Sequence, residues 1–326
     1  MQNLHRVRIT RRAVVAASTT FATGLHAQSS RTIRLIVSFA AGSGNDQTAR
    51  DLARYLSGFL KQPVSVENKP GGGGSIGTDA VVRSAPDGLT LGLGTSSQLV
   101  MNVGLFKSLP FDVDKDLRTI GLVSRANMVL VGRSTGPRTL KALIAEAKAR
   151  PNQLSYGSGG IGSTSHIVGE AFAKAADIKI NHVPYKGNGP ALSDLAGEHV
   201  DLVFDGLATS LPMSLLGQVN LLAVSGTQRN QAAPGLATFA EQGLRGYEAY
   251  TWNCLIAPAQ TPPEVMARIN RALSESLAIP EMHARLVEKS GSEILAPSTP
   301  QEAEAFARRE RERWVPFIRS LKLETA

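Results

Sequence analysis

The chain has 326 residues, 19% of them charged and 5% aromatic, with 31 glycines, one cysteine and a formal net charge of +8. That length suits two domains with a core that stands without cross-links, and the lone Cys254 excludes an internal disulfide. Arg6, Arg8, Arg11 and Arg12 carry four of the 35 basic charges, no acid precedes Asp46, and the rest of the chain holds no basic run suited to nucleic acid.

Residues 1–27 read as a removed export signal, with those four arginines ahead of an uncharged stretch at 13–25 and Ala27 at the cleavage position. The apolar run is too short to span a bilayer. Thr10-Arg11-Arg12 touches the twin-arginine pattern, but the remainder of the motif is weak, so the route read is Sec. The chain is then expected to be exported.

After the signal, 33–39 reads as a buried strand, Ala40 to Asp46 as a small-residue turn, and 47–60 as a helix with Leu52, Leu56, Phe59 and Leu60 on one side. A strand at 64–67 leads into the glycine loop 68–77. Thr78 is placed to cap a short helix over 79–84. A strand at 89–93 ends in the hydroxyl-rich Gly94-Thr95-Ser96-Ser97, and another lies at 129–132. Thr139 caps a helix over 140–150.

The stretch Tyr156-Gly157-Ser158-Gly159-Gly160-Ile161-Gly162-Ser163-Thr164-Ser165-His166 repeats the first plan. It stands between a short strand and an apolar helix over 167–176. Its glycines let the backbone approach a ligand, and its hydroxyl residues are good helix caps. A helix start carries unpaired N–H groups and partial positive charge, so the loop reads as a cradle for a carboxylate or phosphate. Two such units facing each other across a cleft form the central expectation.

Further strands are expected at 180–184, 200–204, 221–224 and 250–257, with a short helix over 190–196. Strands alternating with helices imply mostly parallel sheets, with ligands beyond the carboxyl ends of the strands. Thr261-Pro262-Pro263-Glu264 and Thr299-Pro300-Gln301-Glu302 both carry a capping-box pattern ahead of helices outside the first sheet.

Several chemistries are weighed on the residues. Gly42-Ser43-Gly44-Asn45-Asp46-Gln47 partly matches the dinucleotide fingerprint, but Gln47 replaces its third glycine. Gly73-Gly74-Ser75-Ile76-Gly77 matches the nucleophile-elbow pattern, but five residues separate it from the strand. His166, His182, His199 and His283 lack zinc spacing, and no cofactor or metal is expected. Asp46 and Asp205 are candidates for an acid–base pair. Lys186 is a candidate counter-charge, and Tyr185 a packing residue. Cys254 reads as a buried, inert thiol.

The chain from 33 to 317 resembles the Bug-type periplasmic solute receptors of tripartite tricarboxylate transporters. The marks are the run from Arg34 to Gly42, Val66-Glu67-Asn68-Lys69-Pro70-Gly71, Ser75-Ile76-Gly77, Tyr156 to Gly160, Ser163 to His166, Val183 to Gly187, and Leu255-Ile256-Ala257-Pro258. Ser38 stands where that family has proline, Ser43 interrupts its glycine pair, and Gly72-Gly73 is richer in glycine than its norm.

The resemblance implies a type II periplasmic binding protein fold, with two α/β lobes closing over a ligand. Lobe one would comprise 28–126 plus 248–326, and lobe two 127–247. The implied carboxylate site joins Phe39, Ala40, Ala41, Gly42, Ser43, Gly44, Asn45 and Asp46 of the first lobe to Ser158, Gly160, Gly162, Ser163, Thr164 and His166 of the second. Ser96, Ser97, Tyr185, Lys186 and Asp205 would line the cleft and set ligand preference. The implied role is a non-enzymatic, monomeric receptor for a small organic carboxylate that docks on membrane permease subunits. The alternatives are an exported hydrolase, using Ser75 or the Asp46/Asp205 pair, and a ligand sensor feeding a signalling partner.

Overall fold

The computed structural model describes residues 31–323, so the expected export signal lies outside the described residues. The first stretch of chain forms β1 (Ile33–Val37), α1 (Gly44–Leu60), β2 (Val64–Asn68), α2 (Ser75–Val82), β3 (Thr90–Thr95), α3 (Asn102–Leu105) and β4 (Leu117–Asn127). A second stretch forms β5 (Val129–Arg133), α4 (Leu140–Ala149), β6 (Ser155–Ser158), α5 (Thr164–Ala176), β7 (Asn181–Pro184), α6 (Asn188–Ala196), β8 (Leu202–Asp205), α7 (Leu207–Leu215) and β9 (Val219–Val224). The chain then returns as β10 (Tyr250–Pro258), α8 (Pro263–Leu277), α9 (Pro280–His283), β11 (Ser292–Ile294) and α10 (Pro300–Ser320).

These strands make two sheets, ordered β11-β4-β10-β3-β1-β2 and β7-β6-β8-β5-β9. Each is the centre of one α/β lobe. The sheets are mixed rather than mostly parallel. β1 pairs in parallel with β2 and β3, and β6 with β7 and β8, but the strands at the lobe crossings, β4, β5 and β10, pair antiparallel with their neighbours. The parallel reading comes from βαβ alternation, which says nothing about strands that arrive from the other lobe.

Period-two patterning sorts β1 between two cores. Ile33, Leu35 and Val37 pack with Leu52 and Leu56 of α1 and Ile269 and Leu273 of α8, while Ile36 joins the core on the opposite face. That second core includes Trp252, Trp314 and Ile318 and continues into the other lobe through Tyr156, Phe172 and Phe204.

The chain leaves the first sheet at Asn127 and enters the second at Val129. The two crossings are stitched together around Ser225. Its N–H donates to the Met128 carbonyl (2.8 Å), its hydroxyl accepts from the Met128 N–H (2.9 Å), and the same hydroxyl donates to the Ala249 carbonyl.

Two cap expectations need correction. Helix α2 starts at Ser75, so Thr78 lies inside it and its hydroxyl bonds back to the Gly74 carbonyl (3.0 Å). The Thr261 hydroxyl is buried without a partner, and Pro262 caps α8 instead. The other capping box forms: Thr299 Oγ1 accepts from the Glu302 N–H (3.2 Å), and the Glu302 carboxylate accepts from the Thr299 N–H (2.8 Å).

Candidate binding site

Between the lobes lies a cavity of about 100 Å³ whose wall is drawn from both. Four helices begin at it, α6 through Asn188. Ser43 caps α1, its hydroxyl accepting from the Asp46 N–H (3.3 Å), and Ser163 caps α5 in the same way toward the His166 N–H (3.2 Å). Helix α7 starts there through Gly206, Leu207 and Ala208. The first N–H groups of each helix have no intrahelical partner, and the termini carry partial positive charge. No lysine, arginine or histidine lines the cavity, so an anion there is held by backbone and hydroxyl donors.

Of the residues expected at the site, Phe39, Ser43, Gly44, Asn45, Ser97, Ser163, Thr164 and Asp205 line this cavity. The others sit around it in supporting positions. The Ala40 N–H donates across the lobes to the Lys186 carbonyl (2.9 Å), so Lys186 contributes its backbone while its side chain is exposed. Ala41 is exposed at the turn. The Gly42 N–H donates to the Asp46 carboxylate (3.0 Å), which also accepts from Arg50 Nε (3.0 Å) and Asn68 Nδ2 (2.9 Å). Burial pushes the Asp46 carboxyl up, but these hydrogen bonds outweigh it and leave the group below the ordinary carboxylate range.

The Ser96 hydroxyl bridges Thr164 (2.7 Å) and Thr251 (3.1 Å). Ser158 bonds His182 Nε2 (2.6 Å) and accepts from the Gly160 N–H (3.1 Å). The Gly162 N–H donates to His166 Nδ1 (3.3 Å), and the His166 ring stacks on His182 at 4.1 Å, which stacks in turn on Tyr156 at 4.9 Å. Burial holds the His166 and His182 imidazoles down to about 3 and about 4, so both are neutral props under the α5 loop. The Tyr185 hydroxyl is taken by Asp194 (2.6 Å).

Asp205 meets the cavity but is also a hub. It accepts from Asn188 Nδ2 (2.9 Å) and from the Thr209 hydroxyl, and burial raises its carboxyl against those bonds. Asn188 in turn accepts from the Ser165 hydroxyl (2.9 Å), tying α6 to α5. The sequence reading did not place Thr48, Asn188, the start of α7, Thr251, Asn253, Ser290 or Ser292 at the site. Apart from the cap-like Asn188, these have no local signal, because long-range pairing brings them there.

A larger groove of about 720 Å³ opens at the lobe crossings and holds Arg125, Arg229 and Arg313. Those guanidiniums are already paired, with Glu293 (3.1 Å from Nε), Glu241 (2.9 Å) and Glu248 (3.5 Å). The smaller cavity therefore has the better chemistry for an anion, since first-turn N–H groups of α1 and α5, those of Gly44, Asn45 and Ser165, make no hydrogen bond among the described residues.

Two α/β lobes, two antiparallel crossings and a cavity ringed by helix starts define a periplasmic binding protein. The model of the tripartite tricarboxylate transporter family receptor matches residues 48–323, and the chain belongs to that family. It is 35% identical to protein BugT of Bordetella pertussis over 294 residues, 89% of each chain. The solved periplasmic binding protein BugD superposes with a TM-score of 0.87 at 31% identity, over 91% of this chain and 99% of that one. MatC from Rhodopseudomonas palustris with bound malate superposes with a TM-score of 0.85 at 28% identity, over 88% of this chain and 99% of that one.

The chain is a solute-binding protein rather than an enzyme. The hydrolase alternative has no support in the site. Ser75 begins α2 without a histidine or carboxylate bonded to it among the described residues, and Asp46 is consumed in bracing its loop.

Proposed function

We propose that this protein binds a small organic carboxylate between its lobes in the periplasm and delivers it to a membrane permease. One observation carries the reading: the capped starts of α1 and α5, one from each lobe, line the same cavity, and that cavity holds no basic side chain. A ligand touching both lobes stabilises the closed form by its differential affinity for it, and the closed form is what a permease would recognise. The malate in the MatC structure is in keeping with a carboxylate as cargo. Residues 1–27 would supply the export signal, and the mature receptor would act as a monomer.

A thermal-shift screen tests the reading. The mature protein is unfolded, stripped of co-purified ligand, refolded and titrated with small carboxylic acids. Saturable stabilisation by one acid is expected, ~2.7 kcal/mol at a hundredfold excess over Kd. A flat response across mono-, di- and tricarboxylates would overturn it.

A further inference from the structure

Asn253 stands out in the cavity wall. It lies on β10, it is 7% exposed, and its Oδ1 is sealed from water without a donor. Its amide makes no side-chain hydrogen bond among the described residues. Buried amides are almost always paired; here Oδ1 is sealed while the Nδ2 donor is neither sealed nor hydrogen-bonded, which makes Nδ2 the group that can meet a ligand. The start of α7 lines the same cavity, beside the buried Asp205, whose oxygens are already taken up by Asn188 Nδ2 and the Thr209 hydroxyl.

The wall therefore offers two kinds of recognition. The α1 and α5 starts suit one carboxylate. Asn253, a neutral amide, suits a neutral oxygen such as a hydroxyl or carbonyl. A second carboxylate would be buried in a cavity whose lining holds no basic side chain to balance it. The volume of about 100 Å³ lies below the ~300 Å³ at which sites for drug-sized ligands begin, so the cargo is compact.

We infer that Asn253 is a specificity-determining residue, pairing with a neutral oxygen substituent so that the receptor selects compact hydroxy- or oxo-monocarboxylates over dicarboxylates. The inference rests on the carboxylate-receptor reading above. A site that hydrogen-bonds a ligand oxygen discriminates against the analogue lacking it, because the buried partner is then left unpaired.

The test is calorimetric titration of stripped wild type and Asn253→Leu with four-carbon acids: butyrate, its 2-, 3- and 4-hydroxy derivatives, 2-oxobutyrate and succinate. In the wild type, one hydroxy or oxo acid is expected to bind about tenfold or more tighter than both butyrate and succinate. Asn253→Leu is expected to erase that margin. Succinate binding tightest, or a margin unchanged in Asn253→Leu, overturns the inference and leaves the receptor reading standing. Failure of every acid on the wild type overturns both. Should the leucine variant not fold, Asn253→Asp serves: an isosteric anion there must abolish binding of the preferred acid, and retained binding overturns the inference.

Discussion

The hydroxyl of Thr164, in the first turn of α5, lies 2.7 Å from the Ser96 hydroxyl and 3.0 Å from that of Ser97, and the Thr164 N–H donates to Ser97 Oγ at 2.9 Å. Ser96 and Ser97 follow β3 in one lobe, and Thr164 belongs to the other. Buried hydroxyls that meet only when the lobes meet act as a latch. Thr164→Val keeps the shape and removes the hydroxyl, leaving Ser96 and Ser97 short of partners in the closed form, where water cannot replace them. The expected penalty is ~1–3 kcal/mol on closure, or roughly tenfold or more in ligand Kd. A Kd unchanged by calorimetry would remove the latch from the account.

The glycine loop makes a second seam. A Cβ on Gly73 would lie 2.2 Å from the Ile161 carbonyl oxygen and 2.9 Å from the Gly162 carbonyl carbon, both backbone atoms of the facing lobe. Gly73 also has φ of +58°, which side chains adopt at a penalty of about 1 kcal/mol. Gly73→Ala is therefore expected to lower ligand-free stability only slightly and to impair closure strongly. Small-angle scattering checks this: with saturating ligand, wild type should contract and the variant should contract less. Equal contraction would place the seam outside the closure contact.

Stability should fall with acid over a defined window. His166 and His182 are held at about 3 and about 4 in the fold, against about 6.5 for a free imidazole. Below about pH 6.5 the unfolded chain takes up protons that the native pair refuses, so stability is lost progressively between about pH 6.5 and 4. Asp205 works the other way: its raised carboxyl adds some stability as pH falls toward 3.8. Two histidines against one carboxyl leave a net loss. His182→Phe keeps a ring in the stack with Tyr156 and His166 and removes one proton site. Near pH 5 it should flatten the slope by up to ~1.4 kcal/mol per pH unit. Denaturant melts at pH 5 and 7 check this, and an unchanged slope would mean that the imidazole titrates normally in the fold.

Asp46 is read as a brace for the α1 cradle, not as a ligand contact. It receives the Gly42 N–H, Arg50 Nε and Asn68 Nδ2. Asp46→Asn turns an amide NH₂ toward at least one of those donors. A loss of ~1–3 kcal/mol is expected in the ligand-free protein. Full ligand-free stability with abolished ligand binding would instead place the carboxylate in contact with the cargo.

Local features of the fold were legible. The Ser163 cap, the glycines ahead of it and the Thr299 box are set by residues within a few positions of one another, so spacing alone reveals them, whereas α1 starts at Gly44 under a Ser43 cap, three residues before the expected start at 47. Strand β4 was missed: most of its residues from Leu117 to Leu122 are buried whichever face they occupy, so it shows no clean alternation. Helix α7 was missed because Gly206 offers no capping side chain and Pro212 interrupts its pattern. His166 was expected in the cleft, yet its ring turns onto His182, a contact between two helix-and-strand units that no spacing encodes. Asn253 sits in a mostly apolar strand, and only the pairing of β10 with β3 and β4 brings it to the cavity.

The most direct test of the central claim is a crystal structure of the mature protein with the carboxylate that stabilises it most. The expected density places the carboxylate in the cavity between the lobes, within hydrogen-bonding distance of N–H groups in the first turns of α1 and α5. Density instead in the groove at the crossings, against Arg125, Arg229 and Arg313, would contradict the account and give recognition to the guanidinium groups.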